Sequence, residues 1–129
     1  MGYRSDVRIM TTPEGFRQMC ERAWVLAEER GWQDCCVLLP KPETAYENSF
    51  AFFDVSESYI CFGYDWIKWY EDYRDVLLVK EALEYVGDAG IPWQFMRDGE
   101  DYDDVESDET DNFFEFGLPV LCIHSEITY

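Results

Sequence analysis

Polar and apolar residues alternate near the start of the chain, and the spacing then becomes helical. From Tyr3 to Met10 the apolar Val7 and Ile9 fall on one face, with Arg8 between them. This alternation predicts a β-strand with one buried face. The next segment, Thr11-Thr12-Pro13-Glu14, predicts a helix start, because threonine can cap, proline suits the first turn and an acid favours the positive end of the helix dipole.

Apolar residues three and four positions apart predict two amphipathic helices. The first ends near Gly31, since glycine commonly follows a helix. The second covers Asp75 to Val86 and is followed by Gly87, Gly90 and Pro92. The residues predicted to face the core are Phe16, Met19, Cys20, Ala23, Trp24 and Ala27 in the first helix, and Val76, Val79, Leu83 and Val86 in the second.

The remaining short apolar runs predict further strands. They are Cys35–Leu39, Phe50–Val55, Ser58–Tyr64, Trp93–Arg97, Phe113–Phe116 and Val120–Thr128. Ser56-Glu57 is the turn of a predicted hairpin, residues 65–70 extend a strand or form a turn, and residues 40–49 and about 98–112 are predicted loops. This order predicts one α+β domain over residues 1–129, with a mixed or antiparallel sheet of about five to seven strands and two helices packed on one face.

The net charge of the chain limits the kinds of molecule that it is expected to bind. The 129 residues include 28 acids and 10 bases, for a net charge of −18, and residues 98–129 hold 11 of the acids and no Lys or Arg. Direct binding to nucleic acid or to an anionic membrane is disfavoured, because like charges would meet. A basic protein partner is favoured. The simplest alternative is that the charge only keeps an aromatic-rich protein in solution.

Cysteine usage and hydropathy predict a cytoplasmic protein. The five cysteines form no C-x-x-C, and Cys20, Cys61 and Cys122 lie within apolar patterns typical of buried thiols in a reducing compartment. The first ten residues lack the pattern of a secretory leader. No run approaches the eighteen apolar residues that a membrane-spanning helix needs.

The strongest candidate for a binding surface is an acidic run in which nine of the fourteen residues from Asp98 to Asp111 are acids. The predicted contact residues are Asp101, Tyr102, Asp103, Asp104, Glu106, Asp108 and Glu109, with Tyr102 as an aromatic anchor. Nine charges on an extended strand give one charge per ~5 Å, whereas duplex DNA carries one per ~1.7 Å. Imitation of a duplex would therefore require carboxylates from other elements, for example Glu71, Asp72, Asp75, Glu81 and Glu84.

A second candidate surface is aromatic. Trp66, Trp69 and Tyr70 lie within five residues, and large rigid side chains of this kind are typical of interface hot spots. They could serve a partner or a homodimer, although packing of at least one tryptophan in the core is the more common use.

Metal binding and catalysis have weaker support. Asp104, Glu106, Asp108 and Glu115 match positions 1, 3, 5 and 12 of a calcium loop, but Glu109 replaces the glycine that makes its sharp turn. His124, the only histidine, lies in a predicted strand and is expected to be structural. The cysteines lack zinc-ligand spacing. We therefore assign no catalytic residue and no cofactor.

Three segments resemble small uncharacterised proteins of bacteriophages and prophages, whose chains begin Met-Gly-Tyr-Arg-Ser-Asp/Glu-Val. The segments are Met1–Val7, Trp66–Tyr70 and Phe95–Asp104. The resemblance implies a viral accessory protein in a bacterial cytoplasm and transfers no catalytic residue.

Together with the charge, the resemblance predicts an inhibitor that occupies a basic nucleic-acid-binding site of a host defence protein, as a nucleic-acid mimic. The alternative is a small divalent-metal-dependent enzyme or metal-binding protein acting on a nucleotide-like substrate. A third hypothesis is a virion or self-assembling structural protein.

Overall fold

An antiparallel sheet and two helices form the framework of the protein. The computed structural model describes residues 3–40, 50–101 and 103–113. Within them the elements are β1 (Ser5–Thr11), α1 (Pro13–Arg30), a 3₁₀ turn (Gln33–Cys35), β2 (Phe52–Val55), β3 (Ile60–Ile67), α2 (Arg74–Asp88), β4 (Trp93–Gly99) and β5 (Val105–Glu109). The five strands are ordered β2-β3-β1-β4-β5. The predicted α+β class, with helices packed on the sheet, is confirmed.

Both helices begin and end close to their predicted positions. In α1 the Thr12 hydroxyl accepts a hydrogen bond from Gly15 N at 3.0 Å, which satisfies one of the free N–H groups of the first turn. Gly31 ends this helix in the left-handed conformation at φ 71°. No side-chain cap precedes α2, so this helix depends on its packing.

The main core lies between the helices and one face of the sheet. Every helix residue that was predicted to face the core is buried except Trp24, which is half-buried. Phe16 contacts the ring of Phe62 on β3 in an edge-to-face arrangement at 5.1 Å, and Val7 and Ile9 of β1 are fully buried in the same cluster. Burial of these aromatic and branched side chains supplies the main driving force for this arrangement.

The prediction that the first strand is buried on one face only is wrong. Arg8 and Met10 lie on the opposite face of β1 from Val7 and Ile9, yet they are only 8% and 4% exposed. Met10 belongs to a smaller apolar cluster on that face, together with Cys61 and Phe113. The second face of β1 is covered by this cluster and by the ring of Phe52, on which Arg8 stacks.

The predicted strand at Cys35–Leu39 is also wrong. Gln33–Cys35 forms a 3₁₀ turn and the following residues are irregular. The apolar character of the segment has another cause: Leu39 is 2% exposed, and Cys36 and Leu38 pack against the core. The hydroxyl of Tyr64 donates to the carbonyl of Leu38 at 2.6 Å, so a side chain and not a neighbouring strand satisfies this backbone group.

The acidic run is not the continuous loop that its composition predicted. β4 continues to Gly99 and β5 begins at Val105, so much of the run forms an antiparallel hairpin in which Asp98 lies opposite Val105 and Arg97 opposite Glu106. The hairpin predicted around Ser56-Glu57 is present as β2 and β3, and β3 extends to Ile67. The predicted strand at Val120–Thr128, and that at Phe113–Phe116 apart from Phe113, lie outside the described residues.

Neither helix in the described part of the chain is long and apolar enough to cross a membrane.

Candidate functional site

Arg97 organises the acidic hairpin from the last part of β4. Its guanidinium donates two parallel hydrogen bonds to Asp104, Nη2 to Oδ1 at 2.9 Å and Nη1 to Oδ2 at 3.2 Å. Its Nε donates to Glu106 Oε1 at 3.0 Å, and Nη1 also reaches Ser5 Oγ at 3.0 Å. The guanidinium is a planar fork of five donors, and here four of its hydrogen bonds join both strands of the hairpin to β1.

Tyr3 connects the N-terminal segment to the turn of the hairpin. Its hydroxyl donates to Asp104 Oδ2 at 2.5 Å and accepts a hydrogen bond from Asp101 N at 3.0 Å. The turn is closed by Gly99 N, which donates to the Asp104 carbonyl at 2.8 Å. Arg4 N donates to Glu100 Oε2 at 2.5 Å. The position of the turn is therefore set by contacts with residues about a hundred positions earlier in the chain.

These contacts shift the ionisation of three groups. The hydrogen bonds from Arg97, and then from Tyr3, hold the pKa of Asp104 below its usual value. Burial opposes the charged form of Arg97, but its hydrogen bonds to Asp104 and Glu106 outweigh this effect and raise its pKa. The hydrogen bond from the Asp101 N–H lowers the pKa of Tyr3, but the Asp104 carboxylate and burial together raise it by more. The net shift of this pKa is therefore upward. A phenol held protonated in this way is not an activated base.

The predicted contact residues divide into two groups. Asp104 and Glu106 are half-buried and paired with Arg97. Asp101, Asp103, Asp108 and Glu109 are exposed, and none of them forms an ion pair with another described residue. Tyr102 lies outside the described residues. The structure therefore leaves four of the predicted carboxylates facing solvent on a hairpin that Arg97 and Tyr3 hold in place.

A groove next to the hairpin adds carboxylates from a different element. Its volume is about 670 Å³, and it lies between the last turns of α2 and the chain that follows β5. Glu84 and Asp88 line it from α2, Glu109 and Asp111 line it from the hairpin side, and Trp93 forms part of its wall. Glu84 was named from the sequence among the acids of other elements that a duplex-like surface would require, whereas Asp88 was missed.

The other acids suggested for a shared face have different environments. Glu81 accepts two hydrogen bonds from Arg30, at 2.7 Å each, and these lower its pKa. Glu71 pairs with Lys80 at 3.2 Å. Asp72 and Asp75 line a separate pocket together with Tyr73 and Arg74 at the start of α2. Of the five acids suggested, Glu84 is the one that the structure brings into the groove beside Glu109.

The described residues contain no group of three or more His, Cys, Asp or Glu side chains arranged to hold a metal ion. In the predicted calcium set, Asp104 and Glu106 are paired with Arg97. Glu115 and His124 lie outside the described residues. The thiols of Cys20 and Cys61 are buried, as the apolar pattern predicted. Burial raises the pKa of Cys20 to about 12, which suppresses its thiolate.

The three aromatic interface candidates occupy different environments. Trp69 is 6% exposed; its ring stacks on that of Tyr64 with a centroid distance of 6.1 Å and contacts the tilted ring of Phe95 at 5.8 Å. Tyr70 is half-buried, and its hydroxyl accepts a hydrogen bond from Tyr3 N at 2.6 Å. Trp66 is 61% exposed. Of the three, Trp66 presents the largest accessible surface to a partner.

The organising residues Arg97 and Tyr3 were not among the predicted site residues. Arg97 carries one usable signal, because it is the last base before the acidic run and has acids seven and nine positions later. A hairpin between them would bring the charges together. No comparable signal connects Tyr3 with Asp104, which is 101 positions away.

Comparison with protein-family models, curated proteins and solved structures found no match to this chain.

Proposed function

We propose that this protein acts by binding, and that its acidic hairpin occupies a basic, nucleic-acid-binding surface of another protein. The observation that carries the proposal is a group of four exposed carboxylates, Asp101, Asp103, Asp108 and Glu109, none of which forms an ion pair with another described residue. The guanidinium of Arg97 in the same hairpin is already engaged by two other acids. Charges that are not neutralised within the molecule are available to a cationic partner.

The hairpin is suited to binding because its conformation is fixed before a partner arrives. Arg97 and Tyr3 connect β4, β5 and the N-terminal segment through side-chain hydrogen bonds. A pre-ordered surface loses less conformational entropy on association than a flexible acidic loop would. The bidentate Arg97–Asp104 pair therefore supports recognition indirectly, by holding the neighbouring carboxylates in place.

Imitation of nucleic acid requires more charge than one strand can supply. Glu84 and Asp88 of α2 line the same groove as Glu109 and Asp111, so two elements present carboxylates to a single depression. This arrangement raises the local density of negative charge above that of an isolated strand, which carries about one charge per 5 Å over the acidic run. We therefore include these four groove acids in the proposed mimetic surface.

The biological setting in the proposal is that of a phage-type accessory protein in a bacterial host cytoplasm. The target would be a basic host protein, such as a nucleic-acid-binding defence complex. The support for this setting is the resemblance of the N-terminal and Phe95–Asp104 segments to small phage and prophage proteins, combined with an anionic surface that a nucleic-acid-binding groove would attract.

Two variants with the same change in net charge test the proposal. The hairpin variant carries Asp101→Asn, Asp103→Asn, Asp108→Asn and Glu109→Gln. The control variant carries Glu28→Gln, Glu29→Gln, Asp34→Asn and Glu57→Gln, which are exposed acids on other elements. Each variant and the wild-type chain are immobilised and exposed to a nuclease-treated bacterial lysate, and retained proteins are eluted first with graded NaCl and, in a parallel experiment, with duplex DNA.

We expect the wild type and the control variant to retain the same basic proteins, and the hairpin variant to lose them. Duplex DNA should release the retained proteins, because it competes for the same surface. Equal retention by the hairpin variant would exclude this contact surface. Retention that DNA does not disturb would exclude mimicry of nucleic acid while leaving protein binding in place.

A further inference from the structure

Trp66 has a backbone conformation that tryptophan rarely adopts. Its φ is +58°, and no other non-glycine residue in the described ranges has a positive φ. The left-handed region crowds the Cβ of an L-residue, so this position would suit glycine or asparagine better. Trp66 lies where the pairing of β1 and β3 changes register: Ser5 faces Ile67, but Val7 faces Tyr64. Asp65 and Trp66 together therefore oppose Asp6, which is the arrangement of a β-bulge.

Side chains from the N-terminal segment and β1 hold the bulge in this conformation. Asp6 Oδ1 accepts a hydrogen bond from Trp66 N at 2.8 Å, and Arg4 Nη1 donates to the Trp66 carbonyl at 3.3 Å. Arg4 is in turn connected to the hairpin turn through Glu100. The unusual backbone is thus fixed by the same network that positions the acidic hairpin. A strained conformation that several contacts maintain is a common feature of ligand-binding positions.

The bulge directs a large aromatic side chain into solvent. The indole of Trp66 is 61% exposed, and it makes no ring-stacking or cation contact with another described residue. Glycine at this position would avoid both the backbone strain and the exposed apolar surface. Tryptophan is one of the side chains enriched among the hot-spot residues at the centre of protein interfaces.

The surroundings of this indole are acidic. Asp6 and Asp65 flank it in the bulge, and Asp98 lies opposite Asp6 across the β1–β4 pair. Glu100 lies at the adjacent turn. Two cations lie nearby: Arg8 pairs with Asp65 at 2.9 Å and stacks on Phe52, and the Arg4 guanidinium donates to the Trp66 carbonyl. The π face of an indole surrounded by carboxylates is suited to an arginine side chain, because cation–π attraction and charge complementarity act on the same guanidinium.

We propose that Trp66 is the aromatic anchor of the interface, and that it receives an arginine from a basic segment of the partner protein. The inference rests on the proposed function and specifies where on the surface, and by what chemistry, the partner is held. The carboxylates of the hairpin attract the partner, and the indole at the bulge supplies the desolvated contact that slows its dissociation.

The test uses a labelled nona-arginine peptide as the probe, with binding measured by fluorescence anisotropy at low ionic strength. Trp66→Gly removes the indole and suits the left-handed backbone, so the variant should melt at or above the wild-type temperature. Trp66→Ala removes the indole without this benefit. The matched control is Tyr85→Ala, which removes another exposed aromatic, on α2. We expect both Trp66 variants to bind the peptide roughly five- to tenfold more weakly, and the Tyr85 variant to bind as the wild type does.

The outcomes separate this inference from the proposed function. Wild-type affinity in a correctly folded Trp66→Gly variant, together with loss of binding in the four-residue hairpin variant, would overturn the anchor and leave the acidic surface intact. Failure of the wild type to bind the peptide at low salt would overturn both. A nona-lysine peptide that is equally sensitive to Trp66→Gly would exclude the preference for arginine.

Discussion

At the scale of single residues, Arg97 determines how the acidic hairpin is used. One guanidinium contacts Asp104, Glu106 and Ser5, so it connects two strands of the hairpin to the central strand. The pair with Asp104 is bidentate, which gives it a defined geometry as well as favourable energy. Because this cation neutralises acids on its own chain, it separates the carboxylates that stabilise the fold from those that remain available to a partner.

Asp104 is expected to make stability depend on pH in acid. Its pKa is lower in the folded state than in the unfolded chain, because Arg97 and Tyr3 donate hydrogen bonds to its carboxylate. A lowered folded-state pKa means that the unfolded chain binds the proton more readily. The stabilisation by Asp104 is therefore complete above the unfolded pKa, near 3.9, and is lost as pH falls through the folded value.

The measurement is urea unfolding of the wild type and of Asp104→Asn at several pH values between 7 and 3. We expect the wild type to be more stable by a constant margin at pH 5 to 7, and the margin to shrink below about pH 4. Asp103→Asn is the control, because Asp103 is exposed and forms no ion pair with the described residues. A margin that stays the same down to pH 3 would show that the Asp104 carboxylate does not stabilise the fold through its charge.

At the scale of secondary-structure elements, the pairing of β1 with β3 depends on a glycine. Gly63 lies opposite Arg8 in the β1–β3 pair, and a Cβ at this position would come within 2.1 Å of the Val7 carbonyl oxygen. That oxygen belongs to the backbone of the central strand, so it cannot move away without disturbing the sheet. The same Cβ would also meet the Arg8 side chain at 2.9 Å.

Gly63→Ala is therefore expected to destabilise the protein strongly. Overpacking of a filled site typically costs about 1–3 kcal/mol, and we expect a cost at or above the upper end, seen as a fall in melting temperature of about 10 °C or more. Gly31→Asn is the control: this position has φ +71° and open space around it, and asparagine tolerates the left-handed region. A Gly63→Ala protein that melts with the control would show that the sheet accommodates the methyl group.

The sequence predicts some elements better than others for physical reasons. Both helices combine an apolar stripe with clear end signals such as Thr12 and Gly31, and the structure confirms them. β5 was missed because its residues, Val105–Glu109, are mostly acids with low strand propensity. Its pairing with β4, reinforced by Arg97, overrides that propensity. Cys35–Leu39 was misread because buried irregular chain and a buried strand can share the same apolar composition.

The candidate site was only partly predictable. Local composition located the acidic carboxylates, since they are concentrated in one run. It did not separate Asp104, which Arg97 neutralises, from Asp103, which is exposed, because that distinction depends on the hairpin register. The contact with Tyr3 and the left-handed conformation of Trp66 arise from tertiary packing between distant segments.

At the scale of the whole molecule, we expect self-repulsion to be the dominant electrostatic effect. The chain has 28 acids and only 10 bases, so most of its acids have no base to pair with. Among the ion pairs of the described residues, those of Arg17 with Glu14 and Glu21 are well exposed on both sides. Exposed pairs contribute little to stability, whereas an excess of like charge opposes the compact state. Added salt weakens both the ion pairs and the repulsion between like charges. Whether salt raises or lowers the stability of the protein therefore shows which of the two is larger.

We expect the melting temperature to rise by several degrees between about 10 mM and 0.5 M NaCl, because the Debye length falls from ~30 Å to a few ångströms over this range. The hairpin variant defined above should melt higher than the wild type at low salt and respond less to added NaCl. The control variant removes the same charge from other elements, at Glu28, Glu29, Asp34 and Glu57. The change of its melting temperature with NaCl should therefore remain closer to that of the wild type. Equal responses of the two variants would mean that the negative charge is spread evenly over the surface, and a wild type that melts lower at high salt would mean that ion pairs outweigh repulsion.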